Sequence, residues 1–332
     1  MGARFSRLIQ WGREATSGTA VAATAIVRGT GVFDDDDVHN RHVEDVNQIN
    51  GTNDQYTARK GGQITIDFDP ANMEQLIHVL DCSIAEATPT ADGGGSGQIR
   101  TYTFPTSATA LPDTMTIEMG DSAGDEEMEY SFCRRWTLEG SPGKQFTLSS
   151  EWYGRQQTPT TRTAGLTIPT VSPMLFGNAK LYIDDVDSVT YTQMSCSVLG
   201  LRLEVDAGIV AKFGANGALT FCGLVRTGFV PRLTMTIERE AAALAEIVDW
   251  RANKPRRVKL LLEGNDLTTG GTAYTKQTFI FESMGFFEDV PAMGEQDGNN
   301  VVDFVFQGAY DRSKDSFGSI IHVCNLATTL GY

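Results

Sequence analysis

"RLTMTIEREAAALAEIVDW" at residues 232–250 reads as a strand that runs straight into a helix, and "QITIDFDPANMEQLIHVL" at 63–80 has the same grammar. In the earlier stretch Ile64, Ile66 and Phe68 alternate with Thr65 and Asp67, the period of a half-buried strand. Met73, Leu76, Ile77 and Leu80 then recur at helical spacing, with Asp69 as the expected cap and Pro70 at the first helical position. In the later stretch Leu233, Met235 and Ile237 alternate with Thr234 and Thr236, and Leu244, Ile247 and Val248 share a helical face behind Glu240. Arg251 lies near the end of that helix and Pro255 forbids its continuation. A chain that writes this unit twice points to a duplication.

The order downstream repeats as well. "QIRTYTF", "TMTIEMG" and "EYSFCRRWTLEG" follow the first helix, and "RRVKLLLEG" and "YTKQTFIFESMGFFEDV" follow the second. Each half closes on an aromatic strand: Phe146, Leu148 and Trp152 spell F-x-L-x3-W, while Phe304, Phe306 and Tyr310 spell F-x-F-x3-Y. Ile64 and Phe146 are 82 positions apart and Leu233 and Phe304 are 71 apart; the difference of 11 is the length of the Gly-rich "ATPTADGGGSG" at 87–97. The Thr- and Pro-rich "QQTPTTRTAGLTIPTVSP" at 156–173 reads as a hinge. The division is therefore 1–160 and 161–332, each unit mainly β with one flanking helix. Asn216-Gly217 predicts a tight hairpin turn between "AKFG" and "ALTF".

Composition narrows the function. The 332 residues carry a net charge of −15, which argues against DNA binding through phosphate contacts. Such a balance also serves plain solubility. The five cysteines, Cys82, Cys133, Cys196, Cys222 and Cys324, are odd in number and include no CxxC pair, which points to free thiols in a reducing cytoplasm. No apolar run is long enough to span a membrane, and "MGARFSRLIQWGREATSG" lacks the apolar core of a signal peptide.

A search for catalytic groups returns nothing specific, so neither a catalytic residue nor a cofactor is assigned. His78 and His322 read as packing residues. His39 and His42 follow the acidic run Asp34–Asp37, where four acids and two imidazoles could collect a cation, yet the pattern matches no EF-hand or HExxH motif. A solvated loop is the stronger reading, and no metal site is expected. "GSPGKQF" at 140–146 lacks the Walker spacing, and "GGGSG" at 93–97 does not join a strand to a helix.

The stretch "WGREATSGTAVAATAIV", Trp11 to Val27, carries a G-x-E-x-x-x-G-T-x-x-A phrase in Gly12, Glu14, Gly18, Thr19 and Ala22. With "GGQITIDFD", the stretch "TIEMGD…YSFCRRWTLEG…FTLSSEWYGR" and the closing "NNVVDFVFQGAYD", it resembles the tail tube (major tail) proteins of long-tailed bacteriophages over most of residues 10–312. The resemblance implies two tandem β-sandwich domains, each with one helix, that close into a ring of six tube domains with strands lining a channel. A trimer of two-domain chains is favoured over a hexamer. It further implies stacking of rings around a tape-measure protein, partnership with tail terminator and distal tail proteins, and passage of viral DNA without specific binding. The protein would be made in the host cytoplasm, reside in the virion tail and insert into no membrane.

On that reading Asp67, Glu204 and Glu238 are candidates for an acidic lumen. The N-terminal arm 1–30 and the loop 31–60 are candidates for stacking between rings, with Val32, Phe33, Asp34, Asp35, Asp36, Asp37, Val38 and Val43 as its contact residues. The apolar tail 313–332 is expected to dock, on its own chain or on the next. An alternative is a carbohydrate-binding β-sandwich on a virion surface, with Trp152 and Tyr153 as a sugar platform; a hydrolase using an unrecognised carboxylate pair stands third.

Overall fold

The computed structural model describes residues 7–325 apart from 48, 50, 291, 292 and 316. Strands account for 51% of the described residues against two α-helices there, making this a β-rich α+β protein. The first half runs through β1 (Leu8–Arg13), β2 (Ala25–Ile26), β3 (Thr30–Asp35), β4 (Val38–Val43), β5 (Thr52–Arg59), β6 (Gly62–Phe68) and α1 (Met73–Ser83). It continues with β7 (Thr90–Ala91), β8 (Gln98–Thr103), β9 (Met115–Gly120), β10 (Asp125–Gly140), β11 (Thr147–Gly154) and β12 (Gln157–Thr160). The second half holds β13 (Ala179–Asp185), β14 (Val198–Asp206), β15 (Ile209–Lys212), β16 (Gly223–Arg226), β17 (Val230–Glu238) and α2 (Ala241–Arg251). β18 (Arg256–Asp266), β19 (Lys276–Asp289), β20 (Gly294–Gln296), β21 (Asn299–Gly308) and β22 (Gly318–Cys324) complete it.

One pairing scheme occurs twice. In the first half β3, β6, β11 and β10 lie side by side, and β10 continues into β9 and β1. In the second half β14, β17, β21 and β19 do the same, and β19 continues into β18 and β13. Even an irregularity recurs: β10 is bulged between Cys133 and Arg135, and β19 between Phe287 and Asp289. Such a bulge bends a long strand and lets its two ends serve different neighbours.

The register revises the aromatic alignment read from sequence. Ile64 faces Trp152 and Leu233 faces Phe306, so Trp152 corresponds to Phe306 rather than to Tyr310. A slip of four residues keeps every side chain on its face, so hydrophobic patterning alone does not detect it.

The two units meet edge to edge. Arg135–Gly140 of β10 pairs with Leu201–Asp206 of β14, so one antiparallel sheet runs from β3 through β10 and β14 to β19. The pairings branch without closing a barrel. Beneath them one large core joins residues of both halves, including Trp11, Phe68, Trp136, Leu203, Leu233 and Phe281, and a smaller cluster gathers Phe132, Tyr153, Ala207, Ile209 and Phe221.

Several local expectations change. Segment 156–173 is pinned rather than free: β12 pairs with β10, the Thr163 N–H donates to Glu118 at 2.7 Å, and Ser172 donates its N–H and hydroxyl to Glu74 at 2.7 and 2.9 Å. Within the arm, β1 pairs with β9 and Trp11 is fully buried; positions 1–6 lie outside the described residues. Within the C-terminal tail, β22 docks on its own chain between β19 and β8, while 316 and 326–332 lie outside the described residues.

Asn72, not Asp69, caps α1, its Oδ1 accepting from the Gln75 N–H at 2.9 Å; the chain turns helical only after Pro70 and Ala71. On α2 the buried residues are Ala243 and Glu246, and Leu244 and Val248 are exposed. The hairpin strands β15 and β16 close at Lys212 and Gly223, further out than expected. Asn216-Gly217 sits in the loop between them, where the Asn216 side chain accepts from the Ala218 N–H and Gly217 takes φ +81.

Candidate assembly surfaces

The N-terminal phrase has a physical reason. The buried Glu14 carboxylate accepts from the N–H groups of Gly18 and Tyr130, both at 2.7 Å, and from the hydroxyls of Thr114 and Thr116 at 2.6 and 3.0 Å. A buried carboxylate is tolerated only when its oxygens are so occupied. Gly12 has no room for a side chain, since a Cβ there would lie 2.4 Å from the Ala22 carbonyl oxygen. Gly18 turns at φ +80 against Arg155 and Tyr130, a conformation that favours glycine. The phrase thus locks the crossing from β1 to β2.

The continuous sheet has one apolar and one polar face. Across the polar face Asp67, Ser149, Thr137, Glu204, Arg232 and Gln307 form one row spanning six strands of both units. The Ser149 hydroxyl donates to Asp67 at 2.6 Å. Two of the lumen candidates, Asp67 and Glu204, therefore share a row, and Glu238 lies on the same face further along β17. Arginines offset much of this acidity at the junction. Arg135 meets Asp206 at 3.1 Å and Glu204 at 3.8 Å, and Arg202 meets Glu139 at 3.2 Å and Glu204 at 3.5 Å. Exposed pairs of this kind contribute about 0–1 kcal/mol each, so they set register more than stability.

The structure divides the stacking candidates. Val32, Phe33, Asp34 and Asp35 belong to β3, at the margin of the sheet, with Phe33 packed on the core and Val32 and Asp34 exposed. Asp36 and Asp37 fasten the base of a hairpin: Asp36 accepts from Arg59 at 2.6 Å and from the Tyr153 hydroxyl at 2.8 Å, and Asp37 from the Gly61 N–H at 3.1 Å. Val38 and Val43 lie on that hairpin, β4–β5, whose two strands pair only with each other among the described residues. Val38, Val43 and Tyr56 are exposed on it.

Among the described residues no three His, Cys, Asp or Glu side chains converge as a metal site. His39 Nδ1 lies 3.1 Å from the Thr57 hydroxyl, and His42 lies 3.5 Å from Glu44. His78 packs on Trp11 with ring centres 4.7 Å apart. The proposed sugar platform does not exist, because Trp152 is fully buried and Tyr153 nearly so. They lie on opposite faces of β11: Trp152 enters the main core, and Tyr153 packs with Phe132 and Phe221 in a second apolar cluster, its hydroxyl taken up by Asp36.

No protein-family model and no curated protein matches the sequence. Among solved structures the chain is similar to the SPP1 tail tube, determined by solid-state NMR and cryo-EM, with a TM-score of 0.30 and 12% identity over 45% of this chain and 79% of that one.

Proposed function

We propose that this chain is a structural virion protein that assembles into stacked rings, forming the tail tube of a long-tailed bacteriophage. One observation carries the self-assembly: two units of the same strand order are already joined edge to edge through β10 and β14. An edge that pairs with a neighbour's edge satisfies its backbone groups, and repetition of that step around an axis abolishes edges altogether. The phage-tail assignment comes from the sequence phrases set out above. Three such chains would supply six units.

The polar row through Asp67 and Glu204 would face the channel, where carboxylates repel phosphates and DNA passes without sticking. The β4–β5 hairpin would contact the adjoining ring. A tape-measure protein inside, and terminator and distal tail proteins at the ends, complete this reading.

Native mass spectrometry with negative-stain electron microscopy on one purified sample tests it. Rings or tubes with three chains per ring are the expected result. Six chains per ring would keep the function and remove the role assigned to the duplication. A strict monomer at every concentration would overturn self-assembly by this chain alone.

A further inference from the structure

We infer that the seam inside the chain is repeated between chains: β3 and the β4–β5 hairpin of one copy dock on the β19–β20 edge of a second copy. The inference rests on the ring reading and specifies its lateral contact.

The two outer edges are counterparts of the two inner ones. Phe33 faces Ile64 as Leu203 faces Leu233, which makes β3 the counterpart of β14. β14 has β10 on its other side; β3 has no strand there among the described residues. Phe132 faces Tyr153 as Phe286 faces Gln307, which makes the end of β19 the counterpart of β10 past its bulge. Beyond Gly285 that end pairs only with β21 among the described residues.

The apolar surfaces agree. A hairpin follows each of the two equivalent strands, β15–β16 after β14 and β4–β5 after β3. The β15–β16 hairpin folds back over the first unit, where Phe221 sits against Tyr130, Tyr153 and Phe132 at 4.8, 6.1 and 6.2 Å and Phe132 is fully buried. Its counterpart Phe286 is 40% exposed; the β4–β5 hairpin leaves Val43 and Tyr56 exposed and meets the β15–β16 loop at its base, where Arg59 lies over Phe213 at 5.2 Å. The helices repeat the contrast. Every residue of α1 is buried, with β19 and β22 of the second unit against it, whereas α2 leaves Val248 61% exposed.

Register gives the seam its chemistry. Glu139 faces Thr147 as Gly294 faces Val301, so the internal pair Glu139–Arg202 becomes Gly294 opposite Val32 between copies. An ion pair is thus exchanged for an apolar contact in which the exposed Val32 is covered. Asp289 takes the place of Arg135, and Asp36, already paired with Arg59, that of Asp206, so the Arg135–Asp206 ion pair of the internal seam is not repeated between copies.

The test is oxidation of Val32→Cys/Gly294→Cys, built with Cys196→Ser and Cys222→Ser so that no other exposed thiol is present. Non-reducing electrophoresis should show copies joined in series up to a closed trimer, with neither single-cysteine variant going beyond a dimer. Glu139→Cys/Arg202→Cys should close within one chain, verifying the reference register. Rings seen by microscopy without the disulfide between copies would overturn this seam and leave the ring reading standing. A monomer by native mass spectrometry without the disulfide, in a variant whose internal control closes, would overturn both.

Discussion

The hydroxyl of Tyr102 donates to Oδ1 of Asp81 at 2.9 Å, both groups buried where α1 meets β8. Burial pushes the Asp81 carboxyl up to about 7, against the Tyr102 hydrogen bond and the nearby Arg13. Burial, with Arg100 close by, lowers His78 and His322 to about 3 each. The signs oppose. A raised carboxyl contributes stability that is full below its unfolded value near 3.8 and is lost as pH rises through about 7. The depressed histidines contribute stability that is full above 6.5 and is lost as pH falls through about 3. Two groups outweigh one, so the melting temperature should fall on acidification below pH 6.5. Asp81→Asn, which removes the opposing group, should fall more steeply between pH 6.5 and 4; an unchanged slope in calorimetry would contradict the assignment.

The Arg256 guanidinium is buried and reaches Glu246 at 2.6 Å and Asp249 at 3.2 Å, with Asp185 also in contact. Burial raises the Glu246 carboxyl, and the arginine counters it. Glu246→Ala strands a buried cation, a loss of about 3–5 kcal/mol where no other partner exists. Asp249 and Asp185 temper this to about 3 kcal/mol, measurable by urea unfolding.

Glu14→Ala removes the acceptor of two backbone and two hydroxyl donors in the buried crossing. Unsatisfied buried donors cost about 1–3 kcal/mol each, reduced where water enters, so a net loss of about 3 kcal/mol is expected. Gln in its place keeps one oxygen acceptor and should recover part of the loss in the same thermal melts.

Phe286→Asp alters a side chain already 40% exposed, so the single chain should melt within a few degrees of the parent. Assembly should require a concentration at least ~3-fold higher, since fully burying an aromatic is worth ~1.5–3 kcal/mol, the exposed 40% accounts for ~0.6–1.2 kcal/mol of it, and ~1.4 kcal/mol is a factor of ten. Sedimentation velocity reads both species; unaffected assembly would count against contact at Phe286.

Local periodicity made the strand-to-helix units legible, because Ile64–Phe68 and Leu233–Ile237 carry their period of two within five residues. Alternation also put Asp67, Glu204 and Glu238 on a solvent face. Long-range pairing was not legible. β3 and the β4–β5 hairpin read as polar loop, since an edge strand with Asp34 and Asp35 and a hairpin with few buried residues lack the apolar alternation of a core strand. β1 read as an arm because its burial depends on β9, about a hundred residues downstream. The β10–β14 junction leaves no local trace, since its ion pairs join residues more than sixty positions apart. Phe286 carried a signal only in hindsight: "GFF" places one phenylalanine toward each face.

The internal β10–β14 pairing also has a kinetic meaning. Tethering holds its two edges at an effective concentration on the order of millimolar, whatever the dilution of the protein. In a closed ring every second junction would then form during folding, before any collision between molecules. Ring formation would have half the molecularity of one built from single units, with fewer partial rings exposing raw strand edges along the way.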